Sequence, residues 1–399
     1  MNIKPSLQLA FASTKRFDPR ITFTNASANR SYFDAAGLLK FAVANEPRFD
    51  HNPTTGESLG LLMEEARANM LIRSQEFDNA SWPKSNSTVS ANAGTSPDGT
   101  TTADRLIPNA VNAAHSVSQG MGTFSIGDVV TASVFVKQDT GWPFLRIALS
   151  ATIFATGSAY YDLSTGTTSN VGAGSIAKIT ALKDGWYRCE LTATCSTGGS
   201  AATIFYSYLT VGAAAVGDGV IGPLIFGAQA EVGAFATSYI PTTSATVTRS
   251  ADVNSQSITT VNNAVEGSVV TAFVANASST RTVLEIGDGT ANERIYLQSI
   301  AGALTLKVVD GGVEQCSLSL GSVVSEAKYK VAFAWKANDF AASINGATAV
   351  TDTAGTLPTV TTLYQGQDYA SANRLCSQIS RTTLFTRRLA NSTLQGLST

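Results

Sequence analysis

Charged residues are scarce in this chain, and this limits the kinds of binding partner that we expect. Only 14% of the 399 residues are charged, against about 25% in a typical soluble domain. The 27 basic and 29 acidic residues give a formal net charge of −2, so no positive excess attracts nucleic acid or an anionic membrane. No run of about 18 apolar residues occurs, so no membrane-spanning helix is predicted. We therefore expect no nucleic acid partner and no membrane insertion.

Histidine and recognisable catalytic motifs are also scarce. Histidine is the commonest general base, yet the chain has only His51 and His115, in contexts typical of structural residues. No nucleophile elbow, phosphate-binding loop or zinc-protease motif occurs. A glycosidase needs two carboxylates that face each other, whereas adjacent Glu64 and Glu65 would point to opposite faces of a strand. The sequence therefore predicts a protein that is not an enzyme.

The few cysteines predict neither a zinc site nor a redox site. They are Cys189, Cys195, Cys316 and Cys376, and their spacing matches no zinc-binding or Cys-x-x-Cys pattern. Cys189 and Cys195 lie on one predicted strand, about 20 Å apart, which is too far for a disulfide. The chain starts without the apolar run of a secretory signal. We expect reduced thiols in a protein made in a cytoplasm, with a Cys316–Cys376 pair as the open alternative.

Strand patterns, in contrast, are abundant. Several segments alternate apolar with small or polar residues and are followed by Asp-Gly or Asn-Gly turns. They are residues 129–138, 185–195, 202–212, 267–276, 294–300, 303–309 and 329–335. A short helix is predicted only at 389–397, while 59–72 fits either helical turns or a strand. This pattern predicts an all-β protein with two antiparallel β-sandwich (jelly-roll) domains.

The sequence divides into three predicted parts. Residues 1–68 are loop-rich and punctuated by prolines, and we expect them to be an N-terminal docking segment that gains order by packing on a partner. Residues 69–248 form the first predicted sandwich, and residues 249–399 form the second. The Thr/Ser-rich run at 241–250 follows a proline and is typical of a short extended linker.

Two kinds of binding residue are candidates. Asp98, Asp104 and Asp218 lie in or beside Asp-Gly turns, and jelly-roll modules often hold a calcium ion with such carboxylates. The alternative is that they stabilise turns without any metal. Trp142 lies in a predicted loop beside a proline and is the candidate aromatic platform for a sugar ring. Its alternative is packing over that loop.

The stretch GAQAEVGAFATSYIPT at residues 227–242 places an acid among small and apolar residues. Strict alternation would put Gln229 and Glu231 on one face of a closing strand, with an apolar row on the other. Tyr239 would pack at the end of the strand, and Pro241 would prevent further pairing. We interpret Gln229, Glu231, Tyr239 and Pro241 as a structural strap between the two sandwiches, with Glu231 as a hydrogen-bond anchor.

Several segments occur in an order that resembles a known family. They are NMLIRSQEFDNASW (69–82), SPDGTTTADRL (96–106), SVFVKQ (133–138), YYDLSTGT (160–167), KDGWYRCELT (183–192) and GAQAEVGAFATSYIPT (227–242). This series resembles a carbohydrate-binding-module-like jelly roll in virion structural proteins of tailed bacteriophages, and residues 17–71 resemble the leader that precedes it there. Segments from GSVVTAFVA to SQISRTTLFTRRLANSTLQGL, within residues 267–397, resemble a concanavalin A/laminin G-like sandwich.

The resemblance implies a non-enzymatic structural component of the virion, made in the host cytoplasm: a tail fibre, head spike or decoration protein. Residues 1–68 would bind other virion proteins of the capsid, collar or tail. The chain would form a homo-oligomer, with a trimer usual for fibres and spikes, and would contact a host-surface glycan. The alternatives are a free carbohydrate-binding protein and a polysaccharide depolymerase. Phage depolymerases often carry β-helix repeats, and the sequence shows none.

Overall fold

Strands make up most of the regular structure of the chain. In this computed structural model, which describes residues 4–139 and 141–399, they form four large antiparallel sheets and two small two-stranded ones. The large sheets pair as two sandwiches, each around its own apolar core. The predicted all-β class with two antiparallel sandwiches is therefore confirmed. Within the described ranges, no helix is both long and apolar enough to cross a membrane.

The elements follow one another in three groups. The first group is β1 (Leu7–Leu9), α1 (Phe11–Thr14), β2 (Ile21–Thr24), β3 (Arg30–Phe33), β4 (Leu39–Ala42), β5 (Phe49–His51), β6 (Ser58–Met63) and β7 (Arg67–Asn69). The second is β8 (Lys84–Ser85), β9 (Ser87–Gly94), β10 (Ala103–Pro108), β11 (His115–Phe124), β12 (Val129–Lys137), β13 (Phe144–Leu149), β14 (Ser158–Asp162), β15 (Thr167–Ser169), β16 (Ile176–Ala181), a 3-10 turn (Lys183–Gly185), β17 (Trp186–Thr194), β18 (Gly199–Tyr208) and β19 (Leu224–Val232). The third is β20 (Val247–Arg249), β21 (Val253–Ser257), β22 (Glu266–Val274), β23 (Thr280–Gly287), β24 (Arg294–Ile300), β25 (Ala303–Asp310), β26 (Val313–Ser322), β27 (Lys328–Lys336), β28 (Asp339–Ile344), β29 (Val350–Asp352), β30 (Thr362–Gln365), β31 (Ser377–Phe385) and α2 (Asn391–Leu397).

The first sandwich encloses one apolar core between two six-stranded sheets. One sheet has the order β16-β17-β12-β19-β10-β9, and the other has the order β15-β14-β13-β18-β11-β8. Alternate residues of each strand point inwards; on β12 these include Val130, Ala132 and Val134, which are completely buried. The strands predicted at 185–195 and 202–212 are present as β17 and β18.

The second sandwich is built from an eight-stranded and a seven-stranded sheet. The first has the order β29-β28-β27-β22-β31-β6-β5, with β1 also paired to β31, and the second has the order β2-β21-β30-β23-β24-β25-β26. The strands predicted at 294–300 and 303–309 are present as β24 and β25, and α2 lies inside the predicted helix at 389–397. All four cysteines are free thiols, so the open alternative of a Cys316–Cys376 disulfide does not occur.

The N-terminal segment differs from the predicted loop-rich docking element. Its strands β1, β5 and β6 join the eight-stranded sheet of the second sandwich, and β2 joins the seven-stranded sheet. Leu7, Leu61 and Met63 are buried in the core of that sandwich. Strands of three to six residues are too short to give a clear periodic signal, which explains why the sequence pattern suggested loops. The segment gains its order by packing on distant residues of the same chain.

A buried ionic cluster joins the N-terminal segment to the start of the second sandwich. Asp252, which precedes β21, is completely buried and accepts hydrogen bonds from Arg30 Nη1 (3.1 Å) and Arg48 Nη2 (2.6 Å). Arg48 Nη1 and Arg249 Nη1 each lie 2.7 Å from the Glu64 carboxylate. Charged side chains are buried only when they are paired, so these contacts fix the segments relative to one another.

Ser238 ties the end of the first sandwich to the same cluster. Its backbone N–H and hydroxyl donate to the two carboxylate oxygens of Glu64, at 2.8 and 2.6 Å. Arg249 Nη1 donates to the Ser238 hydroxyl at 2.7 Å. Burial alone would raise the pKa of Glu64, but Arg249, Arg48 and Ser238 outweigh it and lower the pKa to about 2. The cluster therefore contacts all three parts of the chain.

Candidate functional site

Gln229 and Glu231, the two strap residues on β19, are completely buried. Gln229 Nε2 donates to Glu231 Oε1 at 2.7 Å, and Gln229 Oε1 accepts from the Ile240 backbone N–H at 2.7 Å. Glu231 also accepts from the backbone N–H and the hydroxyl of Thr237, both at 2.8 Å. Burial raises the pKa of Glu231, although Arg67 and these hydrogen bonds lower it. Both side chains are thus satisfied by the residues that follow β19.

Tyr239 and Pro241 complete the strap. The Tyr239 side chain is buried, its hydroxyl lies 2.6 Å from the Ser74 hydroxyl, and its ring centroid lies 5.9 Å from that of Phe135. Its backbone carbonyl accepts a hydrogen bond from the Ser31 hydroxyl at 2.7 Å. Pro241 is half-buried and lies beyond the end of β19. These contacts hold the segment after β19 against both the first sandwich and the β3–β4 hairpin.

The strict alternation expected along β19 is wrong at one position. Gly227 adopts φ +61°, and the register between β12 and β19 shifts at this point, which is a β-bulge. Ile225 and Ala228 therefore both face the sandwich core, although they are three residues apart. Phe226 packs on the other side with Tyr239. The strand is buried on both faces, so it cannot line an open groove.

The three candidate calcium ligands are engaged in local hydrogen bonds. Asp98 accepts from the backbone N–H of Thr100 at 2.9 Å, and Asp218 accepts from two backbone N–H groups at 2.8 and 2.9 Å, which lower its pKa. Asp104 is buried and accepts from the Phe77 backbone N–H at 2.7 Å; burial raises its pKa. In residues 4–139 and 141–399, no three His, Cys, Asp or Glu side chains are grouped so as to hold a metal ion.

Trp142 does not present a ring face to solvent, contrary to the platform interpretation. Its side chain is only 3% exposed, and its ring packs edge-on against His115 with centroids 5.5 Å apart. The two ring nitrogens of His115 face the backbone carbonyls of Asn86 and Ala215, at 2.5 and 2.9 Å. The alternative interpretation, packing over its loop, describes Trp142 correctly, and His115 is a hydrogen-bonded structural residue.

The outer face of the β15-β14-β13-β18-β11-β8 sheet carries a cluster that sequence reasoning missed. Its central row crosses five strands in register: Ser169, Tyr160, Arg146, Tyr206 and Ser116. The neighbouring row consists of Thr167, Asp162, Phe144 and Tyr208. Leu145 and Tyr161, which lie between the two rows on β13 and β14, belong to the core, as does Phe205 beside Tyr206, so both rows lie on the side of the sheet away from the core. We name Phe144, Arg146, Tyr160, Tyr206 and Tyr208 the tyrosine–arginine face.

The N-terminal hairpin does not cover this face, because it packs against the opposite sheet. Leu39 of β4, with Phe33 and Phe41 beside it, contacts the cluster that contains Phe135 and Trp186. The two sheets of the first sandwich therefore have different environments. One is covered by the N-terminal segment, and the other carries the tyrosine–arginine face.

Arg146 is held between two aromatic rings. Its guanidinium carbon lies 5.5 Å from the Tyr160 ring centroid and 5.2 Å from that of Tyr206, within cation–π distance. Among the described residues no hydrogen bond or ion pair engages this guanidinium, and its buried Nε has no hydrogen-bond partner. A buried donor without a partner is costly, so Arg146 is a positioned donor that a ligand could satisfy.

Tyr208 lies beside the other two tyrosines of the face, and the loop that contains Gly212 borders them. The Tyr208 ring centroid lies 5.5 Å from that of Tyr160 and 5.9 Å from that of Tyr206. Gly212 lies beside the Tyr160 hydroxyl, where an added Cβ would come within 3.7 Å. Burial raises the pKa of Tyr160, so its hydroxyl stays protonated at neutral pH. Tyr160 and Tyr208 are buried, whereas Phe144, Arg146 and Tyr206 are half-buried. The accessible groups of the face are therefore aromatic ring surface, the guanidinium and the Tyr206 hydroxyl, which are groups that bind a saccharide.

Only one sequence signal could have revealed this cluster. Arg146 and Tyr160 lie on the consecutive strands β13 and β14, Tyr206 lies on the later strand β18, and each is one residue away from a buried core position. Assigning inward and outward positions in β13, β14 and β18 would have put the three side chains on the same face. The strand pairing that makes them neighbours could not be read from the sequence.

Comparisons with known proteins give partial structural similarities. A comparison with protein-family models and one with curated proteins found no match. The solved structures with similar folds include "Ruminococcus gnavus IT-sialidase CBM40 bound to alpha2,6 sialyllactose", with a TM-score of 0.31 and 15% identity over 35% of this chain and 86% of that chain. Domain 4 of AbnA, a GH43 extracellular arabinanase from Geobacillus stearothermophilus in complex with arabinotriose, has a TM-score of 0.30 and 13% identity over 41% of this chain and 82% of that chain.

A third similarity is to botulinum neurotoxin type C, whose cell entry is described as dependent on two ganglioside molecules. The TM-score is 0.30 and the identity 13%, over 37% of this chain and 39% of that chain. This chain thus matches about two fifths of that structure. These neighbours are carbohydrate-binding or receptor-binding domains, and each is similar to less than half of this chain.

Proposed function

We propose that this chain is a non-enzymatic, glycan-binding structural component of a tailed-phage particle, and that the tyrosine–arginine face is its glycan contact. The observation that carries the glycan part is the Arg146 guanidinium. It is positioned between Tyr160 and Tyr206 on an outward sheet face, with no hydrogen bond or ion pair from the described residues. Preorganised donors between aromatic rings favour a ligand that has both an apolar ring face and polar substituents.

An acidic saccharide fits this site best. The Arg146 guanidinium offers a planar fork of N–H donors, which matches a carboxylate in two-point hydrogen bonding. No carboxylate in the described part of the chain forms an ion pair with it, and Asp162 in the neighbouring row instead accepts hydrogen bonds from Ser164 and Thr165. The half-buried ring of Tyr206 provides apolar surface on one side of the guanidinium, and the buried ring of Tyr160 packs on the other. A sugar ring with a carboxylate substituent can use both features at once.

The particle part of the proposal rests on the sequence resemblance. Exposed turns within residues 1–68 would attach the chain to capsid, collar or tail proteins, and the chain would form a homo-oligomer such as a trimer. A low content of charged residues suits close packing between subunits. Mass spectrometry of purified particles tests this part. Absence of the chain from the particle would refute it and favour a free carbohydrate-binding protein.

Binding of the full chain to an array of carboxylate-bearing and neutral saccharides tests the glycan part. We expect binding to acidic saccharides that falls at least about tenfold in Arg146→Ala and Tyr206→Ala, as for central contact residues. Matched controls are Arg381→Ala and Tyr329→Ala, which alter the second sandwich and should leave this binding unchanged. Equal binding by Arg146→Ala and the unaltered chain would refute the assignment. Release of reducing sugars would instead favour the depolymerase alternative.

A further inference from the structure

The seven-stranded sheet of the second sandwich carries a separate cluster on its outer face. One row crosses four strands in register: Tyr364 on β30, Glu285 on β23, Tyr296 on β24 and Lys307 on β25. Arg294 lies two residues before Tyr296 on the same strand and therefore on the same side. The residues between them belong to the sandwich core, so this side of the sheet faces outwards.

Arg294, on the second sandwich, lies near two tyrosine rings, as Arg146 does on the first. Its guanidinium carbon lies 4.3 Å from the Tyr296 ring centroid and 5.5 Å from that of Tyr369, which follows β30. Its buried Nε has no hydrogen-bond partner in the described part of the chain. As with Arg146, a guanidinium between two tyrosine rings offers donors to a ligand.

Glu285 makes the two clusters chemically different. Its side chain is completely buried, and its Oε2 atom lies 3.4 Å from Arg294 Nη1. Its Oε1 atom accepts a hydrogen bond from the Tyr369 backbone N–H at 3.1 Å. Glu285 therefore compensates the charge of Arg294 and helps to place the residue that covers it. Among residues 4–139 and 141–399, no carboxylate forms an ion pair with Arg146.

We propose that Arg294, Tyr364 and Tyr369 form a second saccharide-binding site, which takes an uncharged sugar. The tyrosine rings would contact the apolar face of the sugar, while guanidinium N–H groups and phenolic hydroxyls bond its hydroxyl groups. An acidic sugar would have to compete with Glu285 for the guanidinium, so the compensated charge selects against it. Glu285 is a positioning residue, because it acts through Arg294.

Two loops form the rim of this site. Gly289 lies near the Tyr364 hydroxyl, where an added Cβ would come within 3.6 Å. In the loop that carries Tyr369, the Asp368 carboxylate accepts from the Ala372 backbone N–H at 2.7 Å and from Asn373 Nδ2 at 2.8 Å. A loop held in this way needs little ordering when a ligand binds, which favours affinity.

The protonation of Glu285 can be used to test whether its negative charge excludes acidic sugars from the site. Burial raises its pKa to about 7, although Arg294 and the Tyr369 backbone N–H lower it, and Asp368 adds to the rise. The charged and titratable groups that act on it or lie opposite it on the neighbouring strands are Arg294, Tyr296, Tyr364, Tyr369 and Asp368, while Lys307, one strand further, is paired with Glu314. Below its pKa, Glu285 is neutral and Arg294 is uncompensated. We therefore expect the site to accept acidic sugars at low pH and to exclude them at high pH.

The first experiment measures binding of the full chain to neutral saccharides at about pH 8, where Glu285 is ionised. We expect Arg294→Ala and Tyr369→Ala each to reduce this binding at least about tenfold. The matched control Arg381→Ala, on β31, should leave it unchanged. No neutral saccharide bound, or undiminished binding by Arg294→Ala, would overturn the proposal. Loss of neutral binding in Arg146→Ala would assign it to the first site and overturn the proposal as well.

The second experiment removes the compensating charge while keeping the side-chain shape. The background carries Arg146→Ala, which removes the central donor of the tyrosine–arginine face. In this background, the Glu285→Gln variant should bind carboxylate-bearing saccharides at about pH 8, where the chain with Glu285 intact does not. The same background with Glu285 intact should show this binding only below about pH 7. Unchanged selectivity in Glu285→Gln would overturn the charge argument. Failure of the tyrosine–arginine face would not affect these readouts, because Arg146 is already absent.

Discussion

Replacing Asp252 with asparagine should destabilise the second sandwich far more than the loss of an exposed ion pair. The carboxylate is completely buried and accepts hydrogen bonds from Arg30 Nη1 (3.1 Å), Arg48 Nη2 (2.6 Å) and Asn25 Nδ2 (2.8 Å). Asparagine has the same size but no charge. The substitution would leave two buried guanidinium groups short of a counter-charge and would put an amide N–H₂ group where donors already point.

The expected effect is large enough to measure directly. Removing one partner of a buried ion pair costs about 3–5 kcal/mol. For a cooperative unit of about 150–250 residues, each kcal/mol lowers Tm by about 2–4 °C, so Tm should fall by roughly 6–20 °C. Differential scanning calorimetry of the full chain would report this fall in the transition of the second sandwich, because β21 and the strands of the N-terminal segment belong to it.

Asp339→Asn is the matched control. The Asp339 carboxylate is 47% exposed and lies 2.7 Å from Arg388 Nη2, and an exposed pair of this kind contributes about 0–1 kcal/mol. A fall in Tm for Asp252→Asn no larger than that for Asp339→Asn would refute the reasoning. It would mean that the buried cluster does not hold the N-terminal segment in place.

Three further predictions concern the strap and the second sandwich. Gly227→Ala should cost about 1–3 kcal/mol in urea unfolding, because Gly227 has φ +61° and an added Cβ would lie 2.9 Å from the Phe135 ring. Glu231→Gln should also cost about 1–3 kcal/mol by weakening the hydrogen bonds from Thr237, while saccharide binding on the array stays unchanged; lost binding with unchanged stability would contradict the strap. Glu285 has a folded pKa of about 7, above its ordinary 4.5, so the folded state binds the proton more tightly and stability should fall as pH rises through this range. Unfolding midpoints at about pH 5.5 and 8 should show this fall in the unaltered chain and lose most of it in Glu285→Gln.

Periodicity in the sequence was sufficient to predict the all-β class and the longer strands. Segments such as 294–300 alternate apolar and polar residues over a full strand length, and β24 has these bounds. Periodicity was insufficient for the N-terminal segment, whose strands β1, β2, β5 and β6 have only three to six residues. Of these, β1, β2 and β6 pair with strands of the distant second sandwich. Pairing over such distances depends on tertiary packing, which no local pattern encodes.

In the strap, one residue, Gly227, made the predicted inward and outward positions along β19 wrong. Alternation along β19 is regular on either side of Gly227, but the bulge there moves Ala228 to the face that Gly227 would have occupied. A glycine inside a strand pattern is a recognised sign of a bulge. The correct faces of β19 could have been predicted only by interpreting Gly227 as a bulge rather than by continuing the apolar alternation through it.

The structure separates the arginines into two kinds that the amino-acid composition cannot distinguish: those paired with carboxylates and those that are not. In a chain with 14% charged residues, several arginines are buried at the junction and paired with carboxylates, as Arg30 and Arg48 are with Asp252. That is the usual condition for burying charge. Arg146 departs from it, because aromatic rings flank its guanidinium and no carboxylate of the described residues forms an ion pair with it. An arginine held in this way gains less from the protein than a paired one does, so its position favours a contribution from outside the chain.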